Sequence, residues 1–491
     1  MQAPREIGSR SPRDLMRTLA VCAGIAACTD GTAVAPGAPV ARSTSVMPAL
    51  VKRLPAGVMA YTVISSADSL PGSPRFAGAA DGTGLLRNGD GTFTLLTNHE
   101  VIGAVSRVTL DHTFAPVSLD YVVRSAAGIW RRCSATLATV AEHGFGPLFL
   151  SGIEGGIESV VQAVDPRMAP RTAPDDGMLR PALGRWSAEQ VLPLPGTAYP
   201  GRTVILIGDD DGGANGGQLA MYVGDAVGDL AHGTLYVLAR ADDNTREMDM
   251  TTAGGPYTVQ FRPVPNGATT TGAQVEAAGA AQHMMRFGRV EDIDYRKGTG
   301  GGRELYFNVT GQAATGVNAD ASRSVHGRTY RLVLDAGTPL RGTLHVLLDG
   351  DDRSGPARLF QNPDNIVAGT NHLYIQEDPH VYGDETHDAY IYQYALATGV
   401  LRVVLELDHR RDTPVAEPWG GAATPLGSWE FGAMIDVSAQ TGIRDAFLLA
   451  IQPHGWRDGR FLRLAGSHPD PVIDASENQG SQLVLLTGLP R

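Results

Sequence analysis

The sequence predicts an all-β fold, a β-propeller of about six blades with loop and helical insertions. Glycine and proline are abundant, with 60 Gly and 31 Pro among 491 residues, and no long stretch keeps a helical period, so short strands joined by turns are expected. Short apolar runs that end in polar residues recur about six times along the chain. Turn signals such as Asn88-Gly89-Asp90-Gly91 stand between strand-like runs and suit hairpins. A propeller unites these features, because blade after blade can deliver strand ends to one mouth of a central channel.

The chain begins with a basic segment carrying Arg5, Arg10, Arg13 and Arg17, followed by an apolar run over 19–27 that is too short to span a bilayer. The run ends Ile25-Ala26-Ala27-Cys28, which resembles a bacterial lipobox. Residues 1–28 are therefore read as an export signal with a lipid anchor at Cys28, which places the protein in the bacterial cell envelope. Residues 29–48, rich in Ala, Pro, Gly and Thr, are read as a flexible tether, and 49–491 as one domain. Cys22 lies in the signal and Cys28 at its end, so Cys133 is the one thiol of the body, buried or metal-bound. A net charge of −12 argues against a nucleic-acid partner. The protein is expected to be monomeric and to meet the membrane only through its anchor.

Each recurring unit is a strand running into metal-competent residues. Residues 93–96 lead to Thr97-Asn98-His99-Glu100, and 148–150 lead to a loop that reaches Glu154. Residues 204–207 lead to Gly208-Asp209-Asp210-Asp211, and 305–307 to Asn308-Val309-Thr310. Residues 373–375 lead to Gln376-Glu377-Asp378, and 447–451 to Gln452-Pro453-His454. These six runs are read as the innermost strands of the blades, with partner strands at 218–223, 329–334 and 389–394. Segments 163–198 and 240–281 read as insertions, and 273–285 as a helix that could cap the channel.

Several constellations could carry chemistry. Residues 362–390 combine a Pro363-Asp364-Asn365 turn, a strand ending in Glu377-Asp378 and a further set of donors that includes Asp384 and His387. Carboxylates stacked at a strand end repel one another unless a cation lies among them, and calcium takes such a ligand set. In Asn98-His99-Glu100, strand alternation sends the middle residue to the opposite face unless a bulge intervenes. Arg289 beside Glu291, Asp292 and Asp294 could serve a bound phosphate or form a local ion pair. Asp349-Gly350-Asp351-Asp352 reads as a solvated hairpin turn. The chain has no Cys-x-x-Cys, His-Glu-x-x-His or Gly-x-Ser-x-Gly pattern and no Walker loop.

Taken in order, these elements resemble the PhoX-type alkaline phosphatases: Thr97-Asn98-His99-Glu100, then a cysteine followed by a strand leading to a glutamate, Gly208-Asp209-Asp210, Arg289-Val290-Glu291, and Asn362-Pro363-Asp364-Asn365. The resemblance spans roughly 85–455. Valine stands where the family has proline at 290, and asparagine where it has serine at 362. Residues 134–146 lack the family's tryptophan and glycine pair. The resemblance implies a propeller holding calcium and iron that cleaves phosphomonoesters of small molecules. The metal ligands it implies, together with the readings above, are His99, Glu100, Cys133, Glu154, Asp209, Asp210, Glu291, Asp292, Asp364, Asn365, Glu377 and Asp378, with Arg289, Glu291 and Glu377 in catalytic roles. Two alternatives stay open: a calcium-dependent phytase-like or lactonase-like propeller hydrolase, and a non-catalytic calcium-binding surface propeller.

Overall fold

Six groups of antiparallel strands follow one another along the chain. The computed structural model describes residues 41–491 except 101, 299, 380–384, 423 and 462–478. The segment read as an export signal, with Cys22 and Cys28, the first part of the segment read as a tether, and Asp384 lie outside the described residues.

Blade one holds Ala80–Arg87, Phe93–His99, Ala104–Leu110 and Pro116–Val123. Blade two holds Ala135–Ala138, Leu148–Ser151 and Gln162–Val164. Blade three holds Ala188–Pro193, Val204–Asp209, Leu219–Gly224 and Gly233–Arg240. Blade four holds Val290–Tyr295, Glu304–Val309, Arg328–Leu334 and Arg341–Asp349. Blade five holds Pro363–Ala368, His372–Glu377, Tyr390–Ala395 and Val400–Leu407. Blade six takes Glu430–Asp436, Ala446–Gln452 and Gln482–Thr487 from the C-terminal side and Met59–Ser65 from the N-terminal side.

The first-named strand of each blade packs against the first-named strand of the next, and that of blade six returns to blade one. These six strands line the channel. Met59–Ser65 pairs with Gln482–Thr487, so the two ends of the chain close the ring. Val51–Lys52 adds a short pairing to the outer strand of blade five. The last residues of the segment read as a tether make contacts with the domain. Thr44 already donates to the Thr62 and Val63 carbonyls, and Met47 is buried.

The core is divided among the blade interfaces. One cluster of buried apolar side chains fills each junction between neighbouring blades. At the junction of blades three and four, for example, Leu206 and Met221 meet Phe287, Phe307 and Tyr330. Each fully buried side chain of this kind stabilises by about 1.5–3 kcal/mol, so the ring draws its stability from face-to-face sheet packing.

The blade count agrees with the sequence reading, but the strand assignment does not. The six apolar runs are the second strands of the blades. A second strand is paired on both edges and covered on both faces, which makes it continuously apolar. The innermost strands carry polar groups into the channel and read as loops. Segment 163–198 was expected to be an insertion, yet it supplies the innermost strand of blade three. Segment 240–281 supplies Tyr257–Val264, which pairs with Gly233–Arg240 on one side and Arg341–Asp349 on the other, so blades three and four form one nine-stranded sheet. The expected helix is present as Gly272–Ala281, with a capping box between Thr271 and Gln274. It packs on Tyr257–Val264, the middle strand of that sheet. The Asp349–Asp352 turn is a latch rather than a solvated loop: Asp349 pairs with Arg328 at 2.7 Å, and Asp351 accepts from Ser324, Val325 and His326.

Candidate functional site

The innermost strands share a local irregularity at one end of the channel. In five of them the pairing to the second strand breaks so that two residues oppose one. Asp81-Gly82 oppose Asn98, Glu189-Gln190 oppose Gly208, and Glu291-Asp292 oppose Asn308. Asp364-Asn365 oppose Gln376, and Gly432-Ala433 oppose Ala450. Such a bulge bends the strand and re-aims a side chain, and in four blades the first bulge residue is an acid. In blade six the acid is Glu430, just ahead of the bulge. Blade two contributes Cys133, just ahead of its strand.

The bulges are locked by the neighbouring blade. Asn98 donates to the Cys133 carbonyl at 2.6 Å, and Asn308 to the Asp364 carbonyl at 2.9 Å. At Gly208 the next blade comes so close that a Cβ would lie 2.2 Å from the Glu291 carbonyl oxygen, so only glycine fits. Ala79, Arg131, Arg289 and Asn362, each two residues before a site residue, have φ between 47 and 74°: 48, 59, 73 and 60°. Left-handed backbone in non-glycine residues is strained and gathers where surrounding structure enforces it.

The second strands add their own acids by alternation. His99, Asp209 and Glu377 pair with Ala80, Ala188 and Pro363 at the ladder ends, and the following residues Glu100, Asp210 and Asp378 reach the channel mouth. Three groups result, in each of which ligand atoms lie within 4.8 Å of one another: Glu100–Cys133–Glu154, Glu154–Glu189–Glu291, and Asp364–Asp378–Glu430. Glu154 belongs to two of them. Arg131 bridges Glu100 at 3.3 Å and Glu154 at 2.9 Å. Arg289 clasps Asp210 through two nitrogens and reaches Glu291 at 3.3 Å. His454 stands 3.3 Å from Glu430.

Of the residues singled out in the sequence, Glu100, Cys133, Glu154, Asp210, Glu291, Asp364 and Asp378 are brought together, with Arg289 among them. Five are placed elsewhere. His99 is a core histidine: its ring bonds the Gly78 carbonyl and the Ser106 hydroxyl and packs on Phe76, and burial brings its pKa down to about 4. Asp209 faces into blade three and accepts from the Ser187 amide. Glu377 is fully buried in blade five, where it accepts from Gln361, His387, Tyr390 and Tyr392. Asp292 staples the inner strands, accepting from Gln190 at 2.6 Å and the Ile366 amide at 3.1 Å. Asn365 bonds Ser134 across the channel at 2.8 Å. Each of the five has its donors or acceptors met by protein groups, which is why none reaches the channel mouth.

Sequence reasoning missed Asp81, Glu189, Glu430 and Arg131. Their signal is an acid or arginine immediately before a short apolar run, at the start of a strand rather than its end. Glu189 was also hidden inside the presumed insertion.

Burial and mutual repulsion dominate the electrostatics. Burial, then Asp210 and Glu189, push Glu154 well above the carboxylate range. Glu189, Glu291, Asp364 and Glu430 are raised in the same way. Asp81 is raised by burial to about 7 even though it accepts from the Ala433 amide at 2.8 Å. Burial would also raise Asp210, but Arg289 brings it to about 2. Burial and the surrounding acids lift the Cys133 thiol. A cation placed among these groups reverses that order, because it favours every deprotonated ligand at once. The donor chemistry fits such a role. Asp364 Oδ1 is buried with no hydrogen-bond partner among the described residues. Two groups are all carboxylate, as hard cations prefer, and the third adds a thiol, which suits a softer transition metal.

Past the bulges, towards the opposite mouth, the channel opens into a cavity of about 650 Å³ whose wall includes Leu85, Leu192, Ile293, Met434, Asp294 and Lys297.

No protein-family model matches the chain, and no curated protein matches its sequence. Among solved structures, it is similar to Pseudomonas fluorescens PhoX in complex with vanadate, a transition state analogue. The TM-score is 0.62 at 14% identity, covering 92% of this chain and 98% of that one. A Penicillium chrysogenum alpha-L-arabinanase complexed with arabinobiose gives a TM-score of 0.39 at 11% identity, covering 87% of this chain and 98% of that one. At 14% identity the likeness to PhoX is one of fold, and it agrees with the propeller read from the strands.

Proposed function

We propose that this chain is a metal-dependent phosphomonoester hydrolase. The observation that carries the reading is the convergence, at one channel mouth, of acids from blades far apart in sequence with two arginines among them. The fold likeness to PhoX in complex with vanadate, a transition state analogue, supports it.

In this reading Glu100, Cys133 and Glu154 would hold an iron ion, while Glu154, Glu189 and Glu291, and Asp364, Asp378 and Glu430, would hold calcium. Bound there, the ions would supply Lewis-acid polarisation of the phosphoryl group and a nucleophile available at neutral pH. The chain's own part is positional. Arg131 and Arg289 point guanidinium donors at the mouth from fixed backbone, suited to the oxygens of a phosphoryl group as negative charge gathers on them. Their carboxylate partners hold them in place before substrate arrives. His454, 3.3 Å from Glu430, would in this reading exchange a proton with a leaving oxygen.

The test is turnover of p-nitrophenyl phosphate by protein purified without chelators, with elemental analysis of the same sample. Hydrolysis with calcium and iron bound is expected. Calcium and iron bound with no hydrolysis from neutral to alkaline pH would end the phosphatase reading. The lipobox-like residues 25–28 support envelope anchoring. Full-length protein is expected to partition with membranes, and Cys28→Ala to release it.

A further inference from the structure

Trp130 is the one tryptophan of the chain that faces solvent. It is 61% exposed, whereas Trp186, Trp419, Trp429 and Trp456 are at most 7% exposed. A single exposed aromatic is ordinary on a protein surface. Its position is not, because the next residue is Arg131, whose guanidinium bridges Glu100 and Glu154.

The ring is held as a platform. Arg131 Cζ lies over it, 5.4 Å from its centroid, so one face is covered by a cation and the rest is open. Arg131 itself is pinned by its two carboxylates and by its backbone N–H, which donates to the Glu100 carbonyl at 3.0 Å. On the other side, Gly128 presses onto Gly103 so closely that a Cβ would come 2.0 Å from the Gly103 carbonyl oxygen. The segment leading to Trp130 is therefore fixed on both flanks, and the indole is presented beside the acid groups without a tertiary partner that would bury it. A rigid aromatic next to a charged site gains by stacking a planar group, at little cost in side-chain entropy.

We propose that Trp130 is a specificity-determining residue that stacks the planar leaving group of the substrate, so that this site prefers phosphomonoesters of aromatic or heteroaromatic alcohols and nucleosides over those of small alkyl alcohols. The inference rests on the phosphatase reading for the ester and on Trp130 for the ring.

Two measurements on the metal-loaded full chain separate these supports. The first is kcat/KM for p-nitrophenyl phosphate and AMP against glycerol 2-phosphate. Trp130→Ala is expected to lower the first two roughly tenfold, the usual worth of one aromatic stack, while glycerol 2-phosphate stays within about twofold and Trp130→Phe restores most of the difference. The second is tryptophan emission, which suits this chain because its other four indoles are buried. AMP and adenosine are expected to quench the emission and to protect Trp130 from acrylamide, and glycerol 2-phosphate to do neither. If all esters fall equally in Trp130→Ala, or if AMP leaves the emission unchanged, the stacking role is overturned. If adenosine quenches as well as AMP while no ester is cleaved, the platform stands and the phosphatase reading is what fails.

Discussion

The two ends of the channel are both acid-rich, and they differ in who satisfies the acids. Beyond the bulges every carboxylate is met by a protein donor. Asp294 accepts from the Tyr295 amide at 2.8 Å, the Ala368 amide at 2.9 Å and Lys297 at 3.0 Å. Asp436 is ion-paired with Arg491 at 2.5 Å and accepts from the Ser438 amide at 2.9 Å. At the bulge end, Asp81, Glu100, Glu154, Glu189, Asp210, Glu291, Asp364, Asp378, Glu430 and the Cys133 thiol share the Arg131 and Arg289 guanidinium groups and the His454 imidazole as the basic side chains facing them among the described residues. A buried acid with its own donors is architecture. Buried acids that face mainly one another form a site that needs cations to hold its charge.

The sharpest way to break this contrast is to remove one acid shared by two groups. Glu154→Gln keeps the shape and removes a charge that both neighbouring groups use. Turnover is expected to fall at least about 100-fold, with bound metal lost in step by elemental analysis. Asp294→Asn at the other end should leave both within about twofold. Equal losses from the two variants would erase the distinction.

Metal removal should expose the same difference through pH. In the metal-free chain Glu154, Glu189, Glu291, Asp364 and Glu430 have folded pKa values above their unfolded ones, and Asp81 sits near 7. The folded form then binds more protons than the unfolded one. The stability this linkage contributes is fully present below the ordinary carboxylate range and is lost as pH rises through the raised values. Melting of the metal-free chain is therefore expected to come earlier at pH 8 than at pH 5, and calcium with iron to reverse that trend. A metal-free melting temperature that rises from pH 5 to pH 8 would mean that these acids are already neutralised by the protein.

Glu377 tests the contrast from inside one blade. It lies one residue from Asp378, yet it faces the other way and accepts four hydrogen bonds. Glu377→Gln should cost about 2–3 kcal/mol of stability in denaturant melts and leave kcat nearly unchanged. Lost activity with unchanged stability would return Glu377 to the metal-binding set.

This residue also shows what the sequence could and could not reveal. The second strands were visible because burial on both faces writes an unbroken apolar run, as in Leu373-Tyr374-Ile375. The acids at their ends were visible too, but alternation chooses between adjacent residues, and it selects Glu100, Asp210 and Asp378 over His99, Asp209 and Glu377. The innermost strands were hidden because their bulges place acids where a strand pattern expects apolar residues. Asp81 therefore gave no strand signal and Glu189 fell inside a segment that reads as an insertion, and only the pairing between strands reveals them.

The smallest effect is expected at Lys297, which closes the opposite mouth. Its ammonium reaches Asp294 at 3.0 Å and Glu142 at 3.8 Å and lies 3.3 Å from the centroid of the Tyr295 ring. Its side chain is still 27% exposed, so water and salt compete for these interactions. Asp294 keeps two backbone donors without it, and Glu142 keeps the Tyr295 hydroxyl. Lys297→Met should therefore cost less than about 1 kcal/mol, shrink further in high salt, and leave kcat/KM and bound metal unchanged. If turnover fell as steeply as in Glu154→Gln, the two ends would be coupled along the channel, and satisfaction by local donors would no longer separate scaffold from site.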